Sequence, residues 1–193
     1  VVYTVEAAVK DETAVLKRCR DKKVTRLERK SGYLLPASLP VPEVPPVVVG
    51  AGPAGLFAAL VLARAGLRPI LLERGRPVER RKADVDRFWS TGELDLTSNV
   101  QFGEGGAGAF SDGKLNTGTH DKRMGWVLQE FYKHGAPESV TYDAKPHVGT
   151  DVLVDVVRSI RQEVIALGGE VRFGARFERL VIENGAVAAV EYT

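Results

Sequence analysis

The sequence has little of what stabilises secreted or disulfide-rich proteins. Cys19 is the only cysteine among 193 residues, so the chain can form neither an internal disulfide framework nor a redox-active dithiol. The formal net charge is only +2, which is too small to favour nucleic acid or an anionic membrane as a partner. These shortages predict a cytoplasmic protein that binds neither nucleic acid nor membranes.

Histidine is also scarce, and the three histidines form no recognisable catalytic or metal site. His120, His134 and His147 have no other suitable residues at metal-ligand or nucleophile–base spacing. His134 lies near a predicted helix end, where a positive charge is favourable. No metal site is predicted, and the catalytic residues stay unknown.

An uninterrupted hydrophobic segment of membrane-spanning length is missing as well. Residues 44–63 carry no charge and are strongly apolar, as in membrane spans and signal sequences. Several prolines and glycines interrupt this stretch, and Arg64 follows it directly. We therefore interpret it as a buried strand that leads into a buried helix.

Two zones precede the main part of the chain. Residues 1–30 predict a small βαβ appendage, with strands at Val1–Val9 and Val24–Leu27 around a charged helix at Asp11–Arg20. Residues 31–46 hold five of the ten prolines and predict an extended connector. From 47 to 193, predicted strands and helices alternate, which indicates an α/β domain.

A glycine-rich turn with the pattern G-x-G-x-x-G follows the β-branched run Val47–Val49, which suits a strand buried on both faces. Gly50 permits a tight turn out of the strand, and Gly52 lets the backbone approach a pyrophosphate. Gly55 lets the next helix pack close to the sheet. Pro53 fits the first helical turn, where its missing N–H is no loss.

The segment after this turn completes a strand–turn–helix–strand unit. The free N–H groups of the first helical turn, which include that of Ala54, face the diphosphate of a bound dinucleotide. Pro69–Leu72 predicts the second strand, which ends at Glu73, where a carboxylate can accept both hydroxyl hydrogens of an adenosine ribose. Glu73 disfavours NADP, because a 2′-phosphate would face a carboxylate, and Arg74 beside it partly offsets that effect. The helix between these strands carries an apolar stripe at helical spacing: Leu56, Ala59, Leu60 and Ala63.

The stretch after Glu73 differs from that of a plain NAD dehydrogenase, which would continue with another helix and strand. Residues 80–114 instead predict a long irregular insertion rich in glycine. Arginine and lysine cluster at 74–82, but Glu79 and Asp84 interleave with them. A solvated helix face is therefore favoured over a phosphate-binding role.

Residues 103–108 within that insertion read Gly-Glu-Gly-Gly-Ala-Gly. Backbone in such a loop can approach a ligand very closely. We expect Gly105, Gly106 and Ala107 to form an anion-binding nest or to line the cofactor. Lys114 either reaches a phosphate or flavin oxygen or lies on the surface.

The C-terminal half continues the alternation of helices and strands. Periodic apolar residues predict one helix over 121–134 and another over 151–167, with Thr150 as the N-cap of the second. Glu170–Phe173 predicts a third parallel strand. A β-hairpin is predicted over Arg176–Tyr192, because an Asn-Gly pair divides it.

The turn and the insertion together resemble known flavoproteins. Residues 50–55 read Gly-Ala-Gly-Pro-Ala-Gly, which is similar to flavoproteins of the glutathione reductase type. Essentially the whole chain resembles a family of uncharacterised bacterial FAD-dependent dehydrogenases. The resemblance is carried by Asp84–Trp89, Ser98–Gly108, Phe110–Leu115, Ala144–His147 and Gly149–Asp151. It implies an FAD-binding oxidoreductase with the two-domain flavin fold, and it places Phe177 where such flavoproteins contact adenine through backbone groups.

These features predict an α/β protein with a Rossmann-like FAD/NAD(P)-binding domain, in which the parallel sheet is followed by the start of a β-meander. The chain looks truncated, because the late Gly-Asp and the substrate domain of such flavoproteins are not found. The expected activity passes hydride or electrons through flavin N5 between an unknown donor, with NAD(P)H as a candidate, and an unknown acceptor. Two alternatives stay open: an NAD-dependent dehydrogenase that uses residues 47–73 for NAD, and a non-enzymatic folding or assembly fragment.

Overall fold

The computed structural model describes residues 2–27, 39–115 and 121–193. The chain divides into two compact units, Val1–Gly32 and Tyr33–Thr193. Residues 31–38 of the predicted connector and His120 lie outside the described residues. The division into an appendage, a connector and a binding domain therefore stays a prediction.

The first unit contains one helix among its described residues, α1 (Glu12–Arg18). Asp11 caps this helix, because its carboxylate accepts a hydrogen bond from the Ala14 N–H at 2.9 Å. Residues 2–27 contain no strand, so the two strands predicted for the βαβ appendage are wrong over these residues. Val2 is 95% exposed and Val5 is 80% exposed, and a β-prone run forms no strand where it has no partner to pair with.

The second unit is built around a parallel sheet of three described strands: β1 (Val47–Val49), β2 (Ile70–Glu73) and β3 (Glu170–Phe173). Strand β2 lies in the centre, and its Leu71 is level with Val48 of β1 and with Val171 of β3. The three parallel strands that the sequence predicts are confirmed.

The other elements of the second unit lie around this sheet. They are α2 (Pro53–Arg64), α3 (Val78–Thr91), α4 (Arg123–Lys133), α5 (Thr150–Ala166), β4 (Phe177–Glu183), β5 (Ala186–Tyr192) and two short 3-10 segments, Ala107–Phe110 and Glu138–Thr141. No helix in the described ranges is long and apolar enough to cross a membrane.

Helix α2 packs against β1 and β2 and starts at Pro53, within the glycine-rich motif of residues 50–55. Its buried residues are Leu56, Ala59, Leu60 and Ala63. These four residues are the apolar stripe that the 3.6-residue period predicts, so that prediction is confirmed. The helix ends at Arg64, and Gly66 turns the chain with a φ of +82°.

Helix α5 packs beside α2 and against β3, and it closes the core on the same side of the sheet. Its cap differs from the prediction: Gly149 is the N-cap, and Thr150 is the first helical residue without a side-chain capping bond. The helix starts one residue earlier than predicted, which places the Thr150 hydroxyl inside the first turn. The predicted buried face is confirmed at Leu153, Val156, Val157, Ile160 and Val164. It is wrong at Leu167, which is the C-cap beyond the last helical residue and is 41% exposed.

Strand β1 is not buried on both faces, contrary to the prediction from its β-branched run. Val48 faces the core, whereas Val47 is 38% exposed and Val49 is 52% exposed. Alternate residues of a strand point to opposite faces. Among the described residues, β1 is an edge strand whose second face is left uncovered.

Helix α3 occupies the first part of the stretch for which an irregular insertion was expected. It runs over 14 residues and ends at Gly92, which adopts φ +78°. The prediction of irregular structure fails there because charged residues mask the periodicity of the helix. Between Gly92 and residue 115 the described chain forms bends, turns, one short 3-10 segment and an isolated β-bridge from Lys114 to His147. This part of the stretch is irregular, as expected.

Charged residues tie helices α2, α4 and α5 together. The Arg64 guanidinium of α2 donates two hydrogen bonds to the Glu163 carboxylate of α5, at 2.6 and 2.9 Å. His134, at the end of α4, is buried and places one ring nitrogen 2.8 Å from Glu163 and the other 2.7 Å from the Glu130 carbonyl oxygen. His134 thus has a structural role between two helices.

Strands β4 and β5 form the predicted antiparallel hairpin. Asn184 and Gly185 make its turn with φ of +52° and +77°. Two positive φ values are what a type I′ turn requires, and an Asn-Gly pair adopts them at low cost. The hairpin prediction is confirmed.

Candidate functional site

The carboxyl ends of the parallel strands open into a cleft of about 380 Å³. Open α/β sheets bind their ligands at this edge. The ends of β1 and β2, the segment after β3 and part of the loop at 101–106 line the cleft. Six of the twelve predicted ligand-contact residues come together there: Gly50, Gly52, Glu73, Arg74, Gly106 and Phe177.

Each glycine of the turn meets a different spatial requirement. Gly50 adopts φ +91°, a conformation that favours glycine. A Cβ on Gly52 would meet no atom within 4 Å, so this residue presents open space to the cleft. A Cβ on Gly55 would overlap the Gly50 carbonyl oxygen, so Gly55 permits the close packing of α2 that its place in the motif predicts.

The first turn of α2 is left open for a ligand. Gly52 is the N-cap, Pro53 follows it, and no side chain caps the helix. The N–H groups of Ala54 and Gly55 have no acceptor within the helix, because the first four N–H groups of any helix lack one. Such a helix start favours an anion, since the N–H groups and the positive end of the helix dipole act together.

Glu73 lies at the end of β2 and is only 5% exposed. Its Oε2 accepts a hydrogen bond from the Ala51 N–H at 2.7 Å, and its Oε1 accepts one from the Gly75 N–H at 2.8 Å. Both contacts fix the carboxylate at the cleft. Each carboxylate oxygen can accept a further hydrogen bond, so the paired hydroxyls of a ribose remain suitable donors.

Two arginines stand at the rim of the cleft. The guanidinium carbon of Arg74 lies 3.4 Å from the ring centroid of Phe102, and this cation–π contact holds Arg74 against the loop wall. Arg176 is exposed on the side of β3 and pairs with Glu178 at 2.7 Å. The cleft is therefore lined by two arginines as well as by Glu73.

Residues 103–108, the glycine-rich loop, pack directly against the turn that begins α2. The Gly105 N–H donates to the Ala51 carbonyl oxygen at 2.8 Å, and a Cβ on Gly106 would lie 3.1 Å from Cδ of Pro53. The N–H groups of Glu104 and Gly106 donate to other backbone carbonyl oxygens. The expectation of an anion-binding nest is thus wrong for the amides of Gly105 and Gly106, because the fold already uses them, and it stays a prediction for the amide of Ala107. The other alternative, that the loop lines a bound cofactor, stays a prediction.

Arg81 is buried, contrary to the prediction for its segment. A solvated face was predicted for its segment, yet Arg81 is 0% exposed. Its guanidinium donates hydrogen bonds to backbone carbonyl oxygens of the loop at 99–106. The spacing from Val78 through Arg81 to Val85, at i, i+3 and i+7, was the signal for a buried position.

Glu104 is a second buried charged residue of the same loop, with an exposure of 0%. Its Oε2 accepts hydrogen bonds from the Val78 N–H at 2.8 Å and from Arg161 at 2.9 Å. Arg161 also donates to Glu79 of α3, so the pair joins the loop to two helices. Oε1 of Glu104 has no hydrogen-bond partner among the described residues, and burial raises the pKa of Glu104 to about 7.

This raised pKa predicts a pH-dependent stability. The folded protein holds the Glu104 proton more tightly than the unfolded chain, whose pKa is near 4.5. Protonated Glu104 therefore contributes to the free energy of unfolding in full below pH 4.5, and this contribution is lost as the pH rises through about 7. The difference is about 3 kcal/mol. We expect the free energy of unfolding of Glu104→Gln, measured by urea titration, to rise relative to that of wild type by about 3 kcal/mol between pH 5 and pH 8. Parallel pH profiles of the two proteins would contradict this account.

The other predicted contact residues lie elsewhere. Lys114, Pro53 and Gly105 line a smaller apolar cleft of about 110 Å³ between α2 and α5. The Lys114 ammonium pairs with Asp112 at 2.6 Å and does not line the main cleft. Ala54 and Ala107 are exposed and line neither cleft.

The grouping of metal-ligating side chains and the position of His147 are two further features of the described residues. No three His, Cys, Asp or Glu residues within the described ranges are placed to hold a metal ion. His147 is exposed, and its Nε2 lies 2.6 Å from the Asp112 carbonyl oxygen. That contact anchors the loop around residue 113 and leaves His147 away from the main cleft.

A known protein family matches the part of the chain that contains the glycine-rich turn and Glu73. Residues 43–85 match the model of a family described as an FAD binding domain. Over that stretch the chain is similar to FAD-binding domains. The match contains β1, the glycine-rich turn, α2 and β2 with Glu73, and it supports FAD as the cofactor.

Two curated relatives extend the comparison. An uncharacterised protein of Clostridium beijerinckii is 46% identical over 190 residues, which are 98% of this chain and 36% of that protein. A digeranylgeranylglycerophospholipid reductase of Methanocaldococcus jannaschii is 32% identical over 115 residues, which are 55% of this chain and 29% of the reductase. The chain thus spans about a third of the length of these relatives.

One solved structure shows a distant likeness. The crystal structure of a ternary complex of aklavinone-11 hydroxylase with FAD and aklavinone matches 80% of this chain and 30% of that chain. The identity is 17% and the TM-score is 0.32, a likeness too loose to support a structural argument.

Proposed function

We propose that this chain is the FAD-binding part of a flavin-dependent oxidoreductase. The observation that carries the proposal is the meeting of an uncapped helix start and a fixed buried carboxylate in one cleft at the carboxyl ends of the sheet. The similarity of residues 43–85 to FAD-binding domains supports the same cofactor. The name of the reductase relative supports an oxidoreductase in general.

The residues of the cleft fit the ADP half of FAD. The open space at Gly52 admits a diphosphate next to the N–H groups of Ala54 and Gly55. Glu73 then accepts hydrogen bonds from the ribose hydroxyls. Phe177 and the segment before it supply the wall against which adenine lies. A cleft of about 380 Å³ is of the size that such a ligand part requires.

When bound, FAD supplies hydride or electron transfer at N5 of its flavin, between a donor that we propose to be NAD(P)H and an acceptor of unassigned structure. The residues of the cleft would hold the nucleotide end of FAD, with Gly52 at the diphosphate and Glu73 at the ribose. The glycine-rich loop closes the site from the side of the α2 N-terminus, where Gly105 bonds to Ala51 and Gly106 contacts Pro53.

Calorimetric titration with FAD, ADP and NAD tests the proposal. We expect FAD and ADP to bind and NAD to bind at least about tenfold more weakly than FAD, a difference of about 1.4 kcal/mol. Tighter binding of NAD than of FAD would favour an NAD-dependent dehydrogenase instead. A folded protein that binds none of the three would favour a non-enzymatic fragment.

A 2′-phosphate on the ribose provides a second test with the same protein. The Glu73 carboxylate is fixed by two backbone N–H groups, so it cannot turn away from a phosphate dianion. We expect 2′-phospho-ADP-ribose to bind at least about tenfold more weakly than ADP-ribose. Equal binding of the two would show that the ribose does not lie at Glu73.

A further inference from the structure

Among the described residues, all hydrogen bonds of the Arg81 guanidinium go to one loop, and the centroid of the Phe110 ring lies 4.7 Å from its central carbon. Its Nε donates to the Asn99 carbonyl oxygen at 2.7 Å, and its Nη2 donates to that of Val100 at 2.6 Å. Its Nη1 donates to the carbonyl oxygens of Glu104 and Gly106, both at 2.7 Å, and weakly to that of Gly103 at 3.4 Å. Five carbonyl groups of residues 99–106 thus point at one side chain of α3.

The charge of Arg81 is buried without a carboxylate hydrogen-bonded to it among the contacts of the described residues. Arg81 is 0% exposed, and burial lowers its pKa to about 10, so the side chain stays protonated at neutral pH. The charges of Glu73 and Glu104 favour the protonated form. A buried cation held chiefly by carbonyl dipoles tolerates little change in the positions of those dipoles.

The loop separates Arg81 from the cleft. Gly103 and Gly106 line the cleft, whereas Arg81 does not. The carbonyl oxygens of these two glycines accept hydrogen bonds from Arg81, so they are directed at a side chain that does not line the cleft. A Cβ on Gly103 would lie 2.6 Å from Cδ of Arg81, so the glycine is what lets the guanidinium come this close behind the wall.

We propose that Arg81 is a positioning residue for the diphosphate of the cofactor, an inference that rests on the proposed function. It turns the carbonyl oxygens of the loop away from the anionic ligand and places a positive charge behind the wall at Gly103 and Gly106. Both effects act on the phosphates, which are charged, and leave the adenosine part nearly unaffected.

The test compares ADP with adenosine in three variants. Arg81→Met keeps most of the side-chain volume and removes the charge and all donors, and Arg81→Lys keeps the charge with fewer donors. Arg80→Met is the matched control, because Arg80 is the exposed neighbour on the same helix. Calorimetry gives the affinities for ADP, and nuclear magnetic resonance titration gives those for adenosine, at temperatures where each variant is folded.

We expect Arg81→Met to lower the ratio of ADP affinity to adenosine affinity at least about tenfold. Arg81→Lys should lower it by a smaller factor, and Arg80→Met should leave it at the wild-type value. A merely structural role of Arg81 would weaken both ligands equally and keep the ratio constant.

Two results would overturn this inference and leave the proposed function standing. One is an unchanged ratio of ADP affinity to adenosine affinity in a folded Arg81 variant. The other is the failure of both Arg81→Met and Arg81→Lys to fold, since Arg81 would then serve the fold and not the ligand. In both cases the wild-type protein would still bind ADP. A wild-type protein that binds no ADP would overturn the proposed function, and the inference with it.

Discussion

Gly52→Val removes binding of FAD and ADP and leaves the protein folded. The valine side chain would occupy the open space that Gly52 presents to the cleft, where the diphosphate approaches the start of α2. We expect the affinity for ADP to fall at least about 100-fold, which corresponds to about 2.7 kcal/mol. Calorimetric titration measures the loss.

The fold tolerates this substitution for a local reason. Gly52 has φ −70° in the extended region, a conformation open to any residue, and its Cβ would meet no atom within 4 Å. Loss of the N-cap glycine costs about 1 kcal/mol. Gly149→Val is the matched control, because Gly149 is the N-cap of α5 with equal free space and lies outside the cleft. Retained ADP affinity in folded Gly52→Val would contradict the assignment of the turn.

Gly55→Val, three residues further along the same motif, unfolds the protein instead. Its Cβ would overlap the Gly50 carbonyl oxygen and lie 3.5 Å from Val48 in the sheet. The Gly50 carbonyl group belongs to the backbone between β1 and α2, so it cannot move aside without separating the helix from the strand. We expect the free energy of unfolding to fall by about 3 kcal/mol or more, as measured by urea titration.

Gly125→Val is the control for that effect. Gly125 is the third residue of α4, as Gly55 is of α2, but a Cβ there would meet nothing within 4 Å. The control should change the unfolding free energy by less than about 1 kcal/mol. Similar losses in both variants would show that valine in a helix, and not the contact with Gly50, causes the damage.

The fold of the second unit follows from local patterns that the sequence displays openly. Helix α2 carries an apolar stripe at every third or fourth position, and the glycine-rich turn needs particular backbone conformations that few residues adopt. Such features act over a few residues. The positions of β2 with Glu73 and of the Asn184–Gly185 turn could be predicted for that reason.

The errors arise where distant contacts decide the outcome. Arg81 belongs to a charge-rich segment, and only the tertiary contact with five loop carbonyls explains its burial. Strand β1 has a sequence that suits a strand buried on both faces, but its exposed face depends on which layers surround it. The amides of the glycine-rich loop were expected to bind an anion. The Gly105 N–H instead donates its hydrogen bond to the Ala51 carbonyl oxygen.

The visible absorption spectrum of the purified protein after addition of FAD tests the central claim most directly. We expect a stable flavin band near about 450 nm that stays with the protein through gel filtration, with FAD released on denaturation. The same treatment should leave Gly52→Val colourless and Gly149→Val yellow. A wild-type protein that is folded and elutes colourless after incubation with excess FAD would contradict the account.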